Sequence, residues 1–125
     1  MKSIFILLIS LISIQPLFAQ SNDGAYVYVD KMPEYPGGQV ALVKYLSKSI
    51  KYPTQSKINK VKGKVVVSFV IDKLGKVTQA KIVKSLNEEC DKEALRVINN
   101  MPDWQPGEKD GKKVDVLFSL PINFN

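Results

Sequence analysis

Between Gln39 and Ile50, Leu42, Leu46 and Ile50 recur every fourth residue with Val43 beside them, which gathers apolar side chains on one face of a helix. Tyr52-Pro53 stops that helix, because a residue before proline is pushed out of the helical region. Pro53 suits the opening of a further short helical turn, Thr54 to Ile58. From Lys64 to Ile71 the period changes to two. Val65, Val67, Phe69 and Ile71 share one face and Val66, Ser68 and Val70 the other, as in a central strand covered on both sides. Asp72 to Lys76 forms a hairpin loop around Gly75, and Val77 to Ser85 is the returning strand. Its apolar residues Val77, Ala80 and Ile82 break alternation, which predicts a bulge near Thr78–Gln79. Asn87 to Met101 carries a second helical stripe, Cys90, Ala94, Val97, Ile98 and Met101. Asn87 is placed to cap it, with Glu88 and Glu89 suiting the positive end of the helix dipole. Asp103 to Lys112 is expected as a long loop. The last strand, Val114 to Phe124, alternates strongly.

Two helices on one face of a small three-stranded antiparallel sheet is the economical packing for this order of elements, an α+β fold, since each strand has a better apolar face than polar face. Pro121 sits inside the last strand and has no N–H to give to a ladder. That places the strand at the sheet's edge with one side open. A proline introduced at Val116 is then expected to spoil the open side and spare the core.

The N-terminus has a different pattern. Lys2 precedes the apolar run Ile4 to Ile14, and Pro16 to Ala19 offers a helix breaker and a small residue, as in a signal peptide cleaved after Ala19. The run is shorter than the roughly 20 residues that span a bilayer. Expected boundaries are a signal peptide over 1–19, a flexible tether over 20–31 and one domain over 32–125. Membrane contact is expected only if the leader stays attached, as an inner-membrane anchor facing the periplasm.

Composition narrows the chemistry. The chain has 125 residues, a formal charge of +6, no histidine and a single cysteine. Without histidine there is no Ser-His-Asp or Cys-His arrangement and no usual zinc site. Cys90 alone makes no internal disulfide and suits a buried small apolar position. The acidic residues fall mostly in loops or a helix's first turn, where capping and solvation explain them. The reading is a non-enzyme with no catalytic residue, no metal and no cofactor. The lysines are scattered along the chain, as on a solvated surface, and in an exported protein the neighbours that such charge would meet are lipid headgroups, cell wall or acidic proteins, and not nucleic acid.

Tyr52-Pro53, Gly63 to Ile71, Gly75 to Val77, Ile82 to Ser85, Asp91 to Leu95, Met101 to Gly107 and Leu120 to Phe124 together resemble, in order and spacing, the TonB C-terminal domain. Pro33 to Gly38 and the helix after it resemble the extended form found in small members of that family. The resemblance implies a periplasmic domain of Gram-negative bacteria that grips the TonB box, a short extended peptide of outer-membrane transporters, in energy-coupled transport. The peptide adds beside the last strand. Carried onto this chain, the contact residues are Val114, Asp115, Val116, Leu117, Phe118, Ser119 and Leu120, with Tyr52 and Pro53 adjacent. The chain departs from TonB itself in its cleavable leader and in lacking a long proline-rich spacer. Other readings of the same open edge are a second copy of the chain, giving a homodimer, or an envelope assembly role with cell-wall contact.

Overall fold

A computed structural model of the protein describes residues 24–125; the expected signal peptide and its cleavage site lie outside these. Along the described chain run α1 (Gly38–Ser49), α2 (Thr54–Ile58), β1 (Gly63–Ile71), β2 (Val77–Lys84), α3 (Glu88–Asn99), β3 (Gly107–Lys109), β4 (Lys112–Val114) and β5 (Val116–Phe124). The main sheet has the order β2-β1-β5 with both pairings antiparallel, as the sequence led us to expect.

Burial follows the period-two pattern. Val65, Val67, Phe69 and Ile71 of β1 form the core with Ile122 and Phe124 of β5, Leu42 of α1, and Cys90, Ala94 and Ile98 of α3. Both long helices therefore cover one face. Ser68 and Val70, on the other face of β1, are buried too, as suits a central strand. Asn87 caps α3, its Oδ1 accepting from the Cys90 N–H at 2.8 Å. Its amide also reaches the hydroxyl of the buried Ser56, which donates to Glu89 at 2.8 Å. One cap thus fastens α2 to α3. Burial pushes the Cys90 thiol up, so it stays protonated and packs as an apolar group.

The two outer strands differ in regularity. On β2, Phe69 faces both Gln79 and Ala80, with Gln79 at φ 52°, which is the expected bulge. A second shift, which alternation did not reveal, leaves Val83 extra between Ile82 and Lys84. The β1–β5 ladder has no shift from Gly63 opposite Phe124 to Ile71 opposite Val116.

Three expectations change. The long loop after Trp104 contains the hairpin β3–β4, and Val114 belongs to β4, so the last strand starts at Val116. Strands of three residues are too short to show a period. The segment expected as a tether is held against the domain at Ala25, Tyr26, Asp30 and Lys31: Ala25 is buried, and Asp30 and Lys31 donate their N–H groups to the Glu108 carbonyl. Finally, Tyr26 lies parallel to β5 at Val116, donating to the Asp115 carbonyl at 2.9 Å and accepting from the Leu117 N–H at 2.8 Å.

Gly75 closes the β1–β2 hairpin at φ 88°, and its carbonyl accepts from the Trp104 N–H at 2.7 Å. A Cβ at this position would collide with the Trp104 carbonyl. Gly75→Ala is therefore expected to cost about 2–4 kcal/mol, from positive φ and the forced separation of the two backbones. A urea melt followed by circular dichroism, against the unsubstituted chain, measures it.

Candidate functional site

Residues alternate along β5 between facing β1 and facing away. The Leu117 N–H points outward, to Tyr26, so Ser119, Pro121 and Asn123 share its side. Pro121 thus sits where its missing N–H costs the β1–β5 ladder nothing, which is why a proline fits mid-strand. Beyond Tyr26 the outer side presents the carbonyls of Leu117, Ser119, Pro121 and Asn123 and the N–H groups of Ser119 and Asn123. The same alternation corrects the expectation for Val116. Its N–H faces β1 and its side chain is fully buried, so a proline there would break the inner ladder and disturb the core.

The sequence-derived contact residues therefore separate. Val114 lies in β4, Asp115 and Leu117 are engaged by Tyr26, and Val116 is core. Phe118 and Leu120 turn half-buried side chains to the helical face, and Phe118 packs on Phe69 and Trp104 at ring-centroid distances of 5.8 and 5.4 Å. Ser119 is exposed at the open edge. Tyr52 stacks edge-on to Phe124 at 5.7 Å and donates its hydroxyl to the Val61 carbonyl, with Pro53 next to it at the start of α2. Tyr52 is therefore both a packing residue and a neighbour of the edge.

The lower half of β5 has a wall that strand periodicity alone did not reveal. A groove of about 480 Å³ runs between α1 and β5, with Leu42, Val43 and Leu46 on the helix side and Leu120, Ile122 and Phe124 on the strand side. Ile50 and Tyr52 also line it. Asn123 and Pro121, outside the span first assigned to contact, belong to this site. The signal that could have found them was Pro121 itself, which marks the open part of the edge.

Several contacts fix α1 in place. The Tyr45 hydroxyl donates to the Val97 carbonyl at 2.8 Å. Arg96 donates to the Ser49 carbonyl at 2.8 Å, supplying a cation at the helix C-terminus. The Lys51 N–H donates to Glu93 at 2.6 Å. Tyr35, just before α1, packs against Tyr45 and Trp104 at 5.8 and 5.6 Å. Among the described residues no group of three His, Cys, Asp or Glu is arranged to hold a metal ion, and no helix is long and apolar enough to cross a membrane.

The family described as Gram-negative bacterial TonB protein C-terminal matches residues 48–125. The chain belongs to that family. Among solved structures, the solution structure of the Helicobacter pylori TonB C-terminal domain, residues 194–285, is similar at 25% identity and a TM-score of 0.53, covering 69% of this chain and 90% of that one. A longer form of the same H. pylori domain, residues 179–285, is 24% identical with a TM-score of 0.48, covering 69% of this chain and 79% of that one. No curated protein matches the chain. The TonB C-terminal match begins at Lys48, so nearly all of α1 lies ahead of it.

Glu93 joins α1 and the Tyr52-Pro53 segment to α3, and its pairing titrates. The hydrogen bond from Arg96 holds its carboxyl below the ordinary glutamate value, against the opposing effect of burial and with help from the Lys51 N–H. A depressed folded value stabilises the fold above about pH 4.3, where an unfolded glutamate titrates, and this contribution is lost as pH falls through the folded value. Glu93→Gln should remove that part of the acid sensitivity, flattening the fall in urea midpoint between neutral and acid pH. An unchanged slope would show that Glu93 carries none of it.

Proposed function

We propose that this TonB C-terminal domain binds an extended segment of a partner protein as a fourth strand on the outer edge of β5. The partner is a TonB-box-like peptide of an outer-membrane transporter, or another envelope protein, met in the periplasm. The domain acts by binding and catalyses no reaction. The observation that carries this reading is the contrast between the sheet's two edges. The β2 edge is bulged twice and carries Lys81 and Lys84, devices that discourage strand pairing. The β5 edge is regular, and from the Leu117 carbonyl to Asn123 its outward backbone groups have no partner among the described residues. An added strand satisfies them.

The strength follows from the backbone groups on offer. Each added hydrogen bond is worth a net of about 0.5–1.5 kcal/mol. The missing N–H at Pro121 removes one, and ordering the peptide offsets part of the rest. Backbone pairing alone therefore supports weak binding, of the kind that forms and releases readily.

Titration of the full-length chain with a TonB-box-like peptide should shift the amide signals of Ser119 and Asn123 and leave in place those of Val77 and Ile82, which face outward on β2. Ser119→Pro removes an outward N–H without touching the inner ladder. It should weaken binding about tenfold with little change in the urea midpoint. Peptide shifts confined to β2, or full affinity in Ser119→Pro, would contradict the assignment. Amide shifts at Ser119 that depend on protein concentration alone would point to a homodimer.

A further inference from the structure

The groove beside the open edge gives the site side-chain selectivity as well as backbone pairing. We infer that α1 and β5 together select an extended segment with apolar side chains at two positions a residue apart, in register with Leu120 and Ile122. This rests on the strand-addition reading and adds to it what the strand must look like.

The argument begins with the faces of a sheet. Residues opposite each other on neighbouring strands send their side chains to the same face. A strand beside β5 therefore turns the residues opposite Leu120 and Ile122 toward α1, into the groove, and the residues opposite Pro121 and Asn123 toward the other face. The groove is mostly apolar, with Gln39, Ser47, Asn123 and Asn125 as its polar lining and no charged side chain. A charged residue entering it would lose hydration without gaining a partner.

The helix wall is shaped for this. Leu42 is 3% exposed and fastens α1 to the core, while Val43, the next residue, is 53% exposed and faces the groove. A large apolar residue left in water beside a row of unpaired backbone groups is explained by an occupant that meets both. An extended peptide does so. A second copy fits less well: two β5 edges pairing antiparallel would bring both α1 helices to the same face of the joined sheet, crowding the space beside the edge. Nearly all of α1 precedes the TonB C-terminal family match, so the wall comes from the segment that leads into the family's sheet.

Two blocked heptapeptides test it on the full-length chain. One alternates threonine with valine. The other has threonine throughout, which keeps the β-branched shape and removes the apolar surface. Both should shift the Ser119 and Asn123 amides. The alternating peptide should bind about tenfold more tightly, and it alone should move the methyl signals of Val43 and Leu46. Val43→Glu should abolish that advantage while leaving the all-threonine peptide unaffected, and Val40→Glu, 82% exposed and away from the groove, should change neither. Equal affinities, or an advantage that survives Val43→Glu, would overturn the groove's role and leave strand addition standing. Silence at Ser119 and Asn123 with both peptides would overturn strand addition itself. Methyl shifts that follow protein concentration and not peptide would make a second copy the occupant and overturn the inference.

Discussion

An antiparallel sheet of three strands has one strand satisfied on both sides and two that are not, and the two unsatisfied edges are the constraint around which this chain is organised. β1 takes the middle and pairs on both sides from Val66 to Ile71. At β2 the chain bends its edge away by inserting Val83 and the Gln79–Ala80 pair into the ladder, with lysines on the margin. At β5 it does the reverse, keeping nine residues in unbroken register with β1. The only interruption, Pro121, lies on the side where the ladder needs nothing. It lowers the number of donors an incoming strand can meet without loosening the strand itself.

The second feature is an element that does not belong to the sheet. α1 is held by α3 through Tyr45, Arg96 and Glu93, and by the aromatic set Tyr35, Trp104 and Phe69 behind it. The contacts of Tyr35, Tyr45, Ser49 and Lys51 reach residues between Glu93 and Trp104, so the helix is fixed by the part of the chain that the family match covers. A wall fixed in this way is formed before anything binds. It would therefore add little ordering cost to the proposed association with a short peptide, whose backbone bonds are individually weak.

Much of this was legible in the residues. The period of two between Lys64 and Ile71 names the central strand, the fourfold spacing of Leu42 and Leu46 names a helix, Asn87 announces its own cap, and Pro121 points to the edge. What escaped has physical reasons. Three-residue strands such as Gly107–Lys109 are too short for a period, so the second hairpin read as loop. Tyr26 meets β5 through backbone groups that every residue carries, and no side-chain pattern signals such a contact. The outward parity of β5 was within reach, since Pro121 must turn its missing N–H outward and alternation then puts Ser119 outward and Val116 inward; reading the whole strand as contact residues passed over it. The groove needs Leu46 and Ile122 brought together across most of the chain, a distance over which local periodicity is silent.

The Tyr26 contact also bears on what the edge can do. Here the chain makes, with its own residues, the kind of bond proposed for a partner: an extended backbone laid along β5 with one N–H donated and one carbonyl accepting. A tethered segment needs no search to find its place, so it should extend along the whole edge if nothing prevented it. It stops after one residue because Val27 and Tyr28 bend away and the chain is drawn to Glu108 through Asp30 and Lys31. The β3–β4 hairpin, by accepting those bonds, holds the segment off the lower half of β5. The same hairpin that delays the start of the last strand to Val116 therefore holds the described chain off Ser119 to Asn123, and the groove beside α1 opens within that stretch, at Leu120.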